Sequence, residues 1–205
     1  MREKLKEHYD NLYSSEKIVF GSGRPSQLIE QLLDYTQSGT VLDIGGGEGR
    51  NAIFLAEKGF DVTVIDISSE GIKKLNNLAK EKNLDIETSI RDVIEDRIKK
   101  NYDIMVSSFM LHHLDKAEAL GLIGNMMQHT SPGGFNVIAT FTKDGDFFRK
   151  KPDTKQFYPD LGQIKEIYKD WEIVTYAEIN SRAHATNKDG SPMFNISSQL
   201  IAKKI

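Results

Sequence analysis

The chain has no cysteine among its 205 residues and no long run of apolar residues. The lack of thiols excludes disulfide bonds, thiolate nucleophiles, cysteine-ligated zinc and iron–sulfur clusters. The longest apolar stretches, such as Phe135 to Phe141, are far shorter than the roughly 20 residues that a membrane helix needs. We therefore expect neither a cysteine-based active site nor a membrane partner.

An excess of positive charge is also missing. Lys and Arg total 27 against 30 Asp and Glu, a net charge of −3, so the protein as a whole has no field that attracts nucleic acid or an anionic membrane. The segment Met1 to His8 is charged from Arg2 onward and has no apolar stretch of the kind found in a secretory signal. These features predict a cytoplasmic protein without a nucleic-acid partner.

The composition, 39% hydrophobic and 28% charged, is typical of one globular domain. From Thr40 onward, short β-branched runs alternate with helical stretches, a pattern that predicts a parallel sheet covered by helices on both faces. The turn-rich segment 187–192 joins the last two strands like a hairpin, which adds an antiparallel strand to the parallel ones. The predicted strands are 41–44, 61–66, 86–90, 102–107, 135–142, 171–179 and 195–203, and the predicted helices are 49–58, one beginning after Ser68 or Ser69, 116–130 and 161–168.

Three other segments have distinct signals. Residues 1–39 precede the first strand and carry apolar residues at helical spacing, then the loop 21–25 and a second helix over 26–35, which together indicate a lid over a core formed by residues 40–205. The motif 131–134, Ser-Pro-Gly-Gly, predicts a turn before the fifth strand. The polar stretch 143–155 is expected to be a long loop, with Phe147, Phe148 and Phe157 either lining a substrate pocket or anchoring the loop.

A strand over 41–44 runs into four glycines, Gly45, Gly46, Gly47 and Gly49, and then directly into a helix. Glycines remove side chains where backbone approaches a ligand, and the helix N-terminus leaves N–H groups free. In open α/β sheets this turn faces the crevice at the carboxyl ends of the strands. We therefore expect a ligand across this turn.

Three acidic residues follow successive predicted strands. Asp43 in the mouth of the crevice suits a cationic or ammonium-bearing ligand, and Asp66 lies at the spacing from which a carboxylate accepts from ribose hydroxyls. Asp92, at the next position along the crevice, is placed to accept from an adenine amino group. The pattern favours adenosine without phosphate. The alternative, a nicotinamide dinucleotide, rests on a fingerprint that starts at Gly47 and has Ala52 in its third glycine position.

These motifs resemble those of class I S-adenosylmethionine-dependent methyltransferases over nearly all of residues 38–205. The resemblance covers the glycine motif 43–49, the ribose and adenine acids, the fourth-strand end 107–109 and the turn 131–134. It implies a doubly wound, Rossmann-like α/β fold with a seven-stranded mixed sheet, order 3-2-1-4-5-7-6, in which strand 7 is antiparallel. The cofactor-binding residues that it implies are Asp43, Gly45, Gly47, Arg50, Asn51, Asp66, Ile67, Asp92, Val93 and Ser107.

Within that class, the chain is similar to the tellurite-resistance TehB-like group. The motifs that carry this closer resemblance are 49–51, 59–62, 125–126, 183–186 and 189–190. The group's pattern reads His-Arg-Thr where this chain has His184, Ala185 and Thr186, and Arg182 stands two residues before the histidine. The resemblance implies a small-molecule methyl acceptor, either a tellurite- or selenite-type oxyanion or a thiol.

Methyl transfer to a hydroxyl or amine is helped by a base, whereas a soft anion needs none. The candidate bases are His112 and His113, after the fourth strand, and His184, on the predicted loop between strands six and seven. Their spacing matches no closed zinc pattern, so no metal is expected. A non-catalytic S-adenosylmethionine-binding protein is a further alternative, and the expected state is a monomer or homodimer. The glycosylation sequon at Asn195 is interpreted as a chance match.

Overall fold

The computed structural model describes residues 2–14, 19, 23–152 and 154–205, without the side chains of residues 184 and 185. A 3₁₀ turn spans Leu111–His113. The helices are α1 Arg2–Tyr13, α2 Gln27–Leu32, α3 Arg50–Glu57, α4 Ser69–Glu81, α5 Lys116–His129, α6 Asp146–Arg149 and α7 Gln163–Ile167. The strands are β1 Thr40–Ile44, β2 Asp61–Asp66, β3 Ile86–Ile90, β4 Tyr102–Ser108, β5 Thr130–Phe141, β6 Glu172–Thr186 and β7 Pro192–Lys203.

The seven strands form one sheet in the order β3-β2-β1-β4-β5-β7-β6, which confirms the predicted topology. The pairs β3-β2, β2-β1, β1-β4 and β4-β5 are parallel, and β7 is antiparallel to both of its neighbours. The order reverses next to β1, so the carboxyl ends of β1 and β4 flank the crevice where α/β folds bind ligands. The fold therefore places the glycine turn at this switch point.

Each face of the sheet is covered by helices whose apolar stripe packs on it. On one face, α2, α3 and α4 bury residues such as Ile29, Leu55 and Leu75. On the other face, α5 and α7 bury residues such as Ile123 and Ile164. Full burial of one such side chain stabilises the fold by about 1.5–3 kcal/mol. The two clusters hold the strand ends, and hence the side chains that follow them, in fixed positions.

Three predicted boundaries are wrong for identifiable reasons. The segment 131–134 does not separate α5 from the fifth strand as a free turn, because Thr130 already pairs with Tyr102 and the segment bulges within β5. The stretch 143–155 contains the short helix α6. Strand β6 extends to Thr186, beyond the predicted residue 179, because β7 pairs with it as far back as Pro192. The predicted loop 21–25 lies partly outside the described residues.

Of the described part of the predicted lid, residues 1–39, α1 docks over the carboxyl ends of the strands, whereas α2 packs on one face of the sheet. Asp10 accepts hydrogen bonds from Ser68 Oγ (2.7 Å) and from the Glu70 N–H (3.1 Å) at the start of α4. Burial opposes ionisation of Asp10, but bonds from Lys6, Ser68 and Glu70 outweigh it and lower its pKa to about 2. Within the described ranges, none of the helices has the length and apolar character required to cross a bilayer.

Candidate functional site

A cavity of about 940 Å³ lies at the carboxyl ends of the strands, between the sheet and α1. This volume is at the upper end of the range of ligand pockets. Its wall combines the glycine turn, the residues that follow the strands and one face of the lid helix. All three strand-end acids, Asp43, Asp66 and Asp92, line it. The sequence-based prediction of a single crevice shared by these acids therefore agrees with the geometry.

The glycine turn is shaped by protein packing as well as by the cavity. Gly45 has φ +72°, lines the cavity, and a Cβ there would lie 2.6 Å from Met110 Cγ. Gly47 has φ +56°, and a Cβ there would lie 2.2 Å from Tyr13 Oη of the lid. Its N–H donates to Asp66 (2.8 Å), and Gly47 is not part of the cavity wall. In this structure the N–H of Gly47 bonds to Asp66 and the open side of Gly47 faces Tyr13 of the lid.

Asp43 is the buried acid of the site. It is 1% exposed, and its Oδ2 has no hydrogen-bond partner among the described residues. Burial, and then the charge of Asp66, raise the pKa of Asp43 to about 7, against the opposing effect of Arg50. An unsatisfied carboxylate in a low-dielectric wall favours a cationic or hydrogen-bond-donating ligand group.

Asp66 is held by backbone on both oxygens. Its Oδ2 accepts from the Gly47 N–H (2.8 Å) and its Oδ1 accepts from the Ser68 N–H (2.7 Å). Burial raises its pKa, although these bonds oppose the shift. Each carboxylate oxygen has a second acceptor site, so Asp66 is pre-oriented and still able to accept from a diol.

Asp92 contacts the lid directly. One oxygen forms an ion pair with the guanidinium of Arg2, which also reaches Glu118 at 2.6 Å, and the other accepts from the Ile94 N–H at 2.9 Å. The predicted adenine acid therefore has a cation from α1 as its partner in this structure. A ligand amino group at this position has to compete with Arg2.

The remaining predicted cofactor residues divide into two groups. Arg50, Asn51, Ile67 and Val93 line the cavity, and Asn51 Oδ1 also accepts from the Ser26 N–H at 2.9 Å. Ser107 does not line the cavity: it is fully buried, and its neighbour Ser108 takes that place. Successive side chains on a strand point to opposite faces, so Ser108 and not Ser107 faces the cavity in this structure.

His112 and His113 both line the cavity, with ring centroids 4.0 Å apart. His112 is 8% exposed and its Nδ1 has no partner among the described residues. His113 Nε2 shares a 2.7 Å hydrogen bond with the Tyr9 hydroxyl of α1. Burial lowers the pKa of His112 well below 6.5 and that of His113 to about 4. Both rings are thus neutral at pH 7, and the side chain of His184 lies outside the described residues.

An aromatic wall adjoins the histidines, and the sequence identified only part of it. Phe141 packs 4.8 Å from Phe109 and 5.1 Å from Phe147, centroid to centroid. Of the three phenylalanines considered from sequence, Phe147 lines the cavity, whereas Phe157 is 2% exposed in the core. Phe109 has φ +55°, which is rare outside glycine and is held by its N–H bond to the Ala139 carbonyl (2.7 Å). Only the three-dimensional fold brings these rings together.

Arg182 also lines the cavity, at the β6 end. Its place in the wall is notable because Ala185 occupies the position at which the resemblance implies arginine. Among the residues that the structure describes, no group of three or more His, Asp or Glu side chains is placed to hold a metal ion.

Comparisons with known proteins identify the family of this chain. The family model described as "Tellurite resistance protein TehB" matches residues 4–196. A probable S-adenosyl-L-methionine-dependent methyltransferase TehB from Haemophilus influenzae is 34% identical over 164 residues, covering 80% of this chain and 57% of that protein. The chain thus spans little more than half the length of this curated relative.

Solved structures show the same fold. TehB from Haemophilus influenzae matches with a TM-score of 0.78 and 28% identity, covering 98% of this chain and 67% of that one. Magnesium protoporphyrin IX methyltransferase from Synechocystis with bound SAH matches with a TM-score of 0.70 at 17% identity, over 100% of this chain and 99% of that one. The architecture is therefore that of methyltransferases, and the family model covers most of the chain: this protein belongs to the TehB family.

Proposed function

We propose that this protein transfers a methyl group from S-adenosylmethionine to a small-molecule acceptor. The observation that carries the proposal is the convergence of three strand-end acids on one cavity, with Asp43 buried and its Oδ2 unpartnered among the described residues. The cofactor is a cation with an ammonium group, a ribose diol and an adenine amino group. Each of these groups is a partner for a carboxylate.

The residues of the cavity fit this ligand in chain order. Asp43 would accept from the ammonium group, Asp66 from the ribose hydroxyls and Asp92 from the adenine amino group once Arg2 has moved. Ile67 and Val93, beside the last two acids, offer apolar contacts for the adenine ring. Bound S-adenosylmethionine supplies an activated methyl group, because its sulfonium is already a good leaving group.

At the end of the cavity where the methyl acceptor would bind, the residues are better suited to aligning the acceptor than to removing a proton from it. With the cofactor bound, an acceptor lone pair would form the new bond to the methyl carbon while the S–CH₃ bond breaks and leaves its electron pair on sulfur. Alignment of this kind contributes on the order of 7–11 kcal/mol. His112 and His113 are neutral and weakly basic because they are buried. An acceptor that arrives as a soft anion, such as a thiolate or a selenite- or tellurite-type species, needs no stronger base.

The nicotinamide alternative loses its main support. Its fingerprint starts at Gly47, whose N–H is used by Asp66 and whose open side faces Tyr13 of the lid. Two carboxylates, Asp43 and Asp66, also border the turn and would repel a pyrophosphate. Membership of the TehB family favours the methyltransferase interpretation over the dinucleotide one.

Two measurements test the proposal. Calorimetry should detect binding of S-adenosylmethionine and S-adenosylhomocysteine, and Asp66→Ala should weaken it by about 1–3 kcal/mol because two hydroxyls lose a charged acceptor. A screen with radiolabelled methyl groups against tellurite, selenite, thiols and small amines should reveal transfer. Absence of binding of both ligands at sub-millimolar concentration would refute the function, and binding without transfer would favour a non-catalytic role.

Variants tested in the same screen show which residues act on the methyl acceptor. Arg182→Gln should reduce transfer to oxyanions and spare neutral amines, because Arg182 is the cation at the β6 end of the cavity wall. Arg149→Gln is the matched control, since Arg149 is exposed and outside that wall. His184→Ala tests the predicted base: it should lower transfer to amines more than transfer to thiolates.

A further inference from the structure

Asn195 forms part of the cavity wall on β7, directly opposite Ser181 of β6. It is 1% exposed in the fold, which excludes glycosylation of the folded protein at its sequon. A buried amide in a pocket wall needs hydrogen-bond partners. The contacts of its two polar atoms indicate what it does.

The orientation of the amide is fixed by backbone. Asn195 Oδ1 accepts from the Phe147 N–H at 2.9 Å. An N–H donor requires the oxygen and not the nitrogen at this position, so the two ends of the amide are distinguished. Gly145 packs closely on the same side chain, since a Cβ there would lie 2.7 Å from Oδ1. The amide is therefore locked, and its nitrogen points away from Phe147.

The nitrogen of the Asn195 amide, unlike its oxygen, has no hydrogen-bond partner among the described residues. This nitrogen, Nδ2, is also buried. A buried donor without an acceptor is unfavourable, and a ligand oxygen that meets it regains this free energy. His112 Nδ1 is likewise buried and unpartnered. Both groups belong to the same cavity wall.

Aromatic rings link these two polar groups. Phe141 packs 4.9 Å from His112 and 5.1 Å from Phe147, whose backbone holds Asn195. A molecule in this part of the cavity meets aromatic carbon on its sides and a neutral amide donor at one point. Such a wall recognises a compact, polarizable group next to a hydrogen-bond-accepting oxygen.

We propose that Asn195 is a specificity-determining residue that donates from Nδ2 to an oxygen of the methyl acceptor. The acceptor is then a compact molecule that carries a carbonyl, carboxylate or oxyanion oxygen beside its methyl-accepting atom. This inference rests on the proposed methyl transfer and assigns to Asn195 the selection among acceptors. Asn195 acts on binding of the acceptor and leaves the cofactor end of the cavity unchanged.

Matched thiols test the inference. Mercaptoacetate and methyl mercaptoacetate carry an accepting oxygen, and ethanethiol has the same two-carbon chain without one. In the wild type, kcat/KM should favour the oxygen-bearing thiols over ethanethiol. Asn195→Asp keeps the acceptor for Phe147 but removes the donor, and Asn195→Leu removes both. Each variant should lower the ratio of kcat/KM for methyl mercaptoacetate to kcat/KM for ethanethiol by roughly tenfold. The change should come mainly from the KM for methyl mercaptoacetate, with ethanethiol nearly unchanged.

Two controls separate the possible failures. The affinity of Asn195→Asp for S-adenosylhomocysteine reports on the cofactor site and should stay close to wild type, and its melting temperature shows that the variant is folded at the assay temperature. The NMR signal of the Asn195 side-chain amide is identified as the one missing from the spectrum of Asn195→Asp. In the wild type with bound S-adenosylhomocysteine, this signal should shift when mercaptoacetate is added. An unchanged preference in both variants, or an unshifted amide signal, overturns the role of Asn195. Loss of cofactor binding in the wild type would instead overturn the proposed function.

Discussion

The guanidinium of Arg2 forms an ion pair with the carboxylate of Asp92, 90 residues away in the chain. The same guanidinium reaches Glu118 of α5 at 2.6 Å. One side chain of the lid thus pairs with the acid that is proposed to bind the adenine amino group. Arg2 and Asp92 both line the cavity, and the other oxygen of Asp92 accepts from the Ile94 N–H, so we expect ligand binding and this lid contact to compete.

Arg2→Gln should speed association of S-adenosylhomocysteine, because the competing ion pair no longer has to break. It should also speed dissociation, since the lid loses a contact that holds it over the cavity. Stopped-flow or surface-based kinetics measure both rates. Raising the salt concentration should accelerate association with the wild type more than with the variant, because salt screens the ion pair.

Lys4→Gln is the matched control for this prediction. Lys4 lies on the same helix, is exposed and also borders the cavity, so its substitution removes one positive charge without removing the Asp92 contact. An association rate that falls in Arg2→Gln, or that rises equally in Lys4→Gln, contradicts a competitive role for Arg2.

Asp43 should couple cofactor binding to pH. Burial raises its pKa to about 7 in the free protein, and a bound ammonium group favours the ionised form and lowers that pKa. Binding therefore releases a proton from Asp43. Affinity for S-adenosylmethionine should rise with pH, by up to about tenfold per pH unit, and level off above pH 7. Calorimetry in buffers with different ionisation enthalpies counts the released protons.

Asp43→Asn is the appropriate comparison because it keeps the shape and one acceptor oxygen but cannot titrate. Its affinity should be lower than that of the wild type at high pH and nearly independent of pH across the same range. If the wild type and the variant release the same number of protons on binding, another group is responsible for the coupling.

Much of the fold was predictable because local patterns determine it. Strands β2 and β3 have the bounds predicted from β-branched runs, 61–66 and 86–90. The three acids meet in one cavity because carboxyl ends of parallel strands share an edge. These inferences need only periodicity and the position of each residue at the end of its element.

The details that depend on distant contacts were not predictable. The open side of Gly47 faces Tyr13 of the lid. The sequence marked Asn195 only as part of a chance sequon match, and its place in the cavity wall depends on a hydrogen bond from the α6 backbone, 48 residues away. Ser107 and Ser108 differ only in the face of the strand on which they lie, and one residue of register decides which of them lines the cavity. No short sequence window contains both partners of such contacts.

The buried histidines should make stability depend on pH. Burial lowers the pKa of His112 and His113 below 6.5 in the folded protein. Below pH 6.5 the unfolded chain therefore binds more protons than the folded protein. The free energy of unfolding is highest above that pH and decreases as the pH falls through it. At one pH unit below 6.5 each histidine should reduce the free energy of unfolding by about 1 kcal/mol. Urea denaturation at a series of pH values measures this slope.

The difference between variants isolates the histidines from other titrating groups. The free energy of unfolding of His113→Gln should depend less on pH between about pH 5 and pH 7 than that of the wild type, because one group that gains a proton on unfolding is removed. His129→Gln, at the end of α5 and outside the cavity wall, serves as the matched control. Equal slopes in all three proteins contradict a neutral, buried His113.

Gly47→Ala should displace the lid from the glycine turn. An alanine at this position has to adopt φ +56°, and its Cβ would lie 2.2 Å from Tyr13 Oη. Backbone strain and a steric clash therefore act together. We expect faster amide exchange throughout α1 and a loss of about 2 kcal/mol or more in the free energy of unfolding. Hydrogen exchange of α1 and chemical denaturation measure the two effects.

Gly59→Ala separates strain from collision. Gly59 has φ +88°, also in the left-handed region, but no atom of the described residues lies within 4 Å of its added Cβ. Its substitution should cost only the backbone strain, about 1 kcal/mol, and leave exchange of α1 unchanged. The excess effect of Gly47→Ala over Gly59→Ala then measures the contact between the lid and the glycine turn. Equal effects of the two substitutions, with α1 protected in both, would show that Tyr13 does not hold the lid against Gly47.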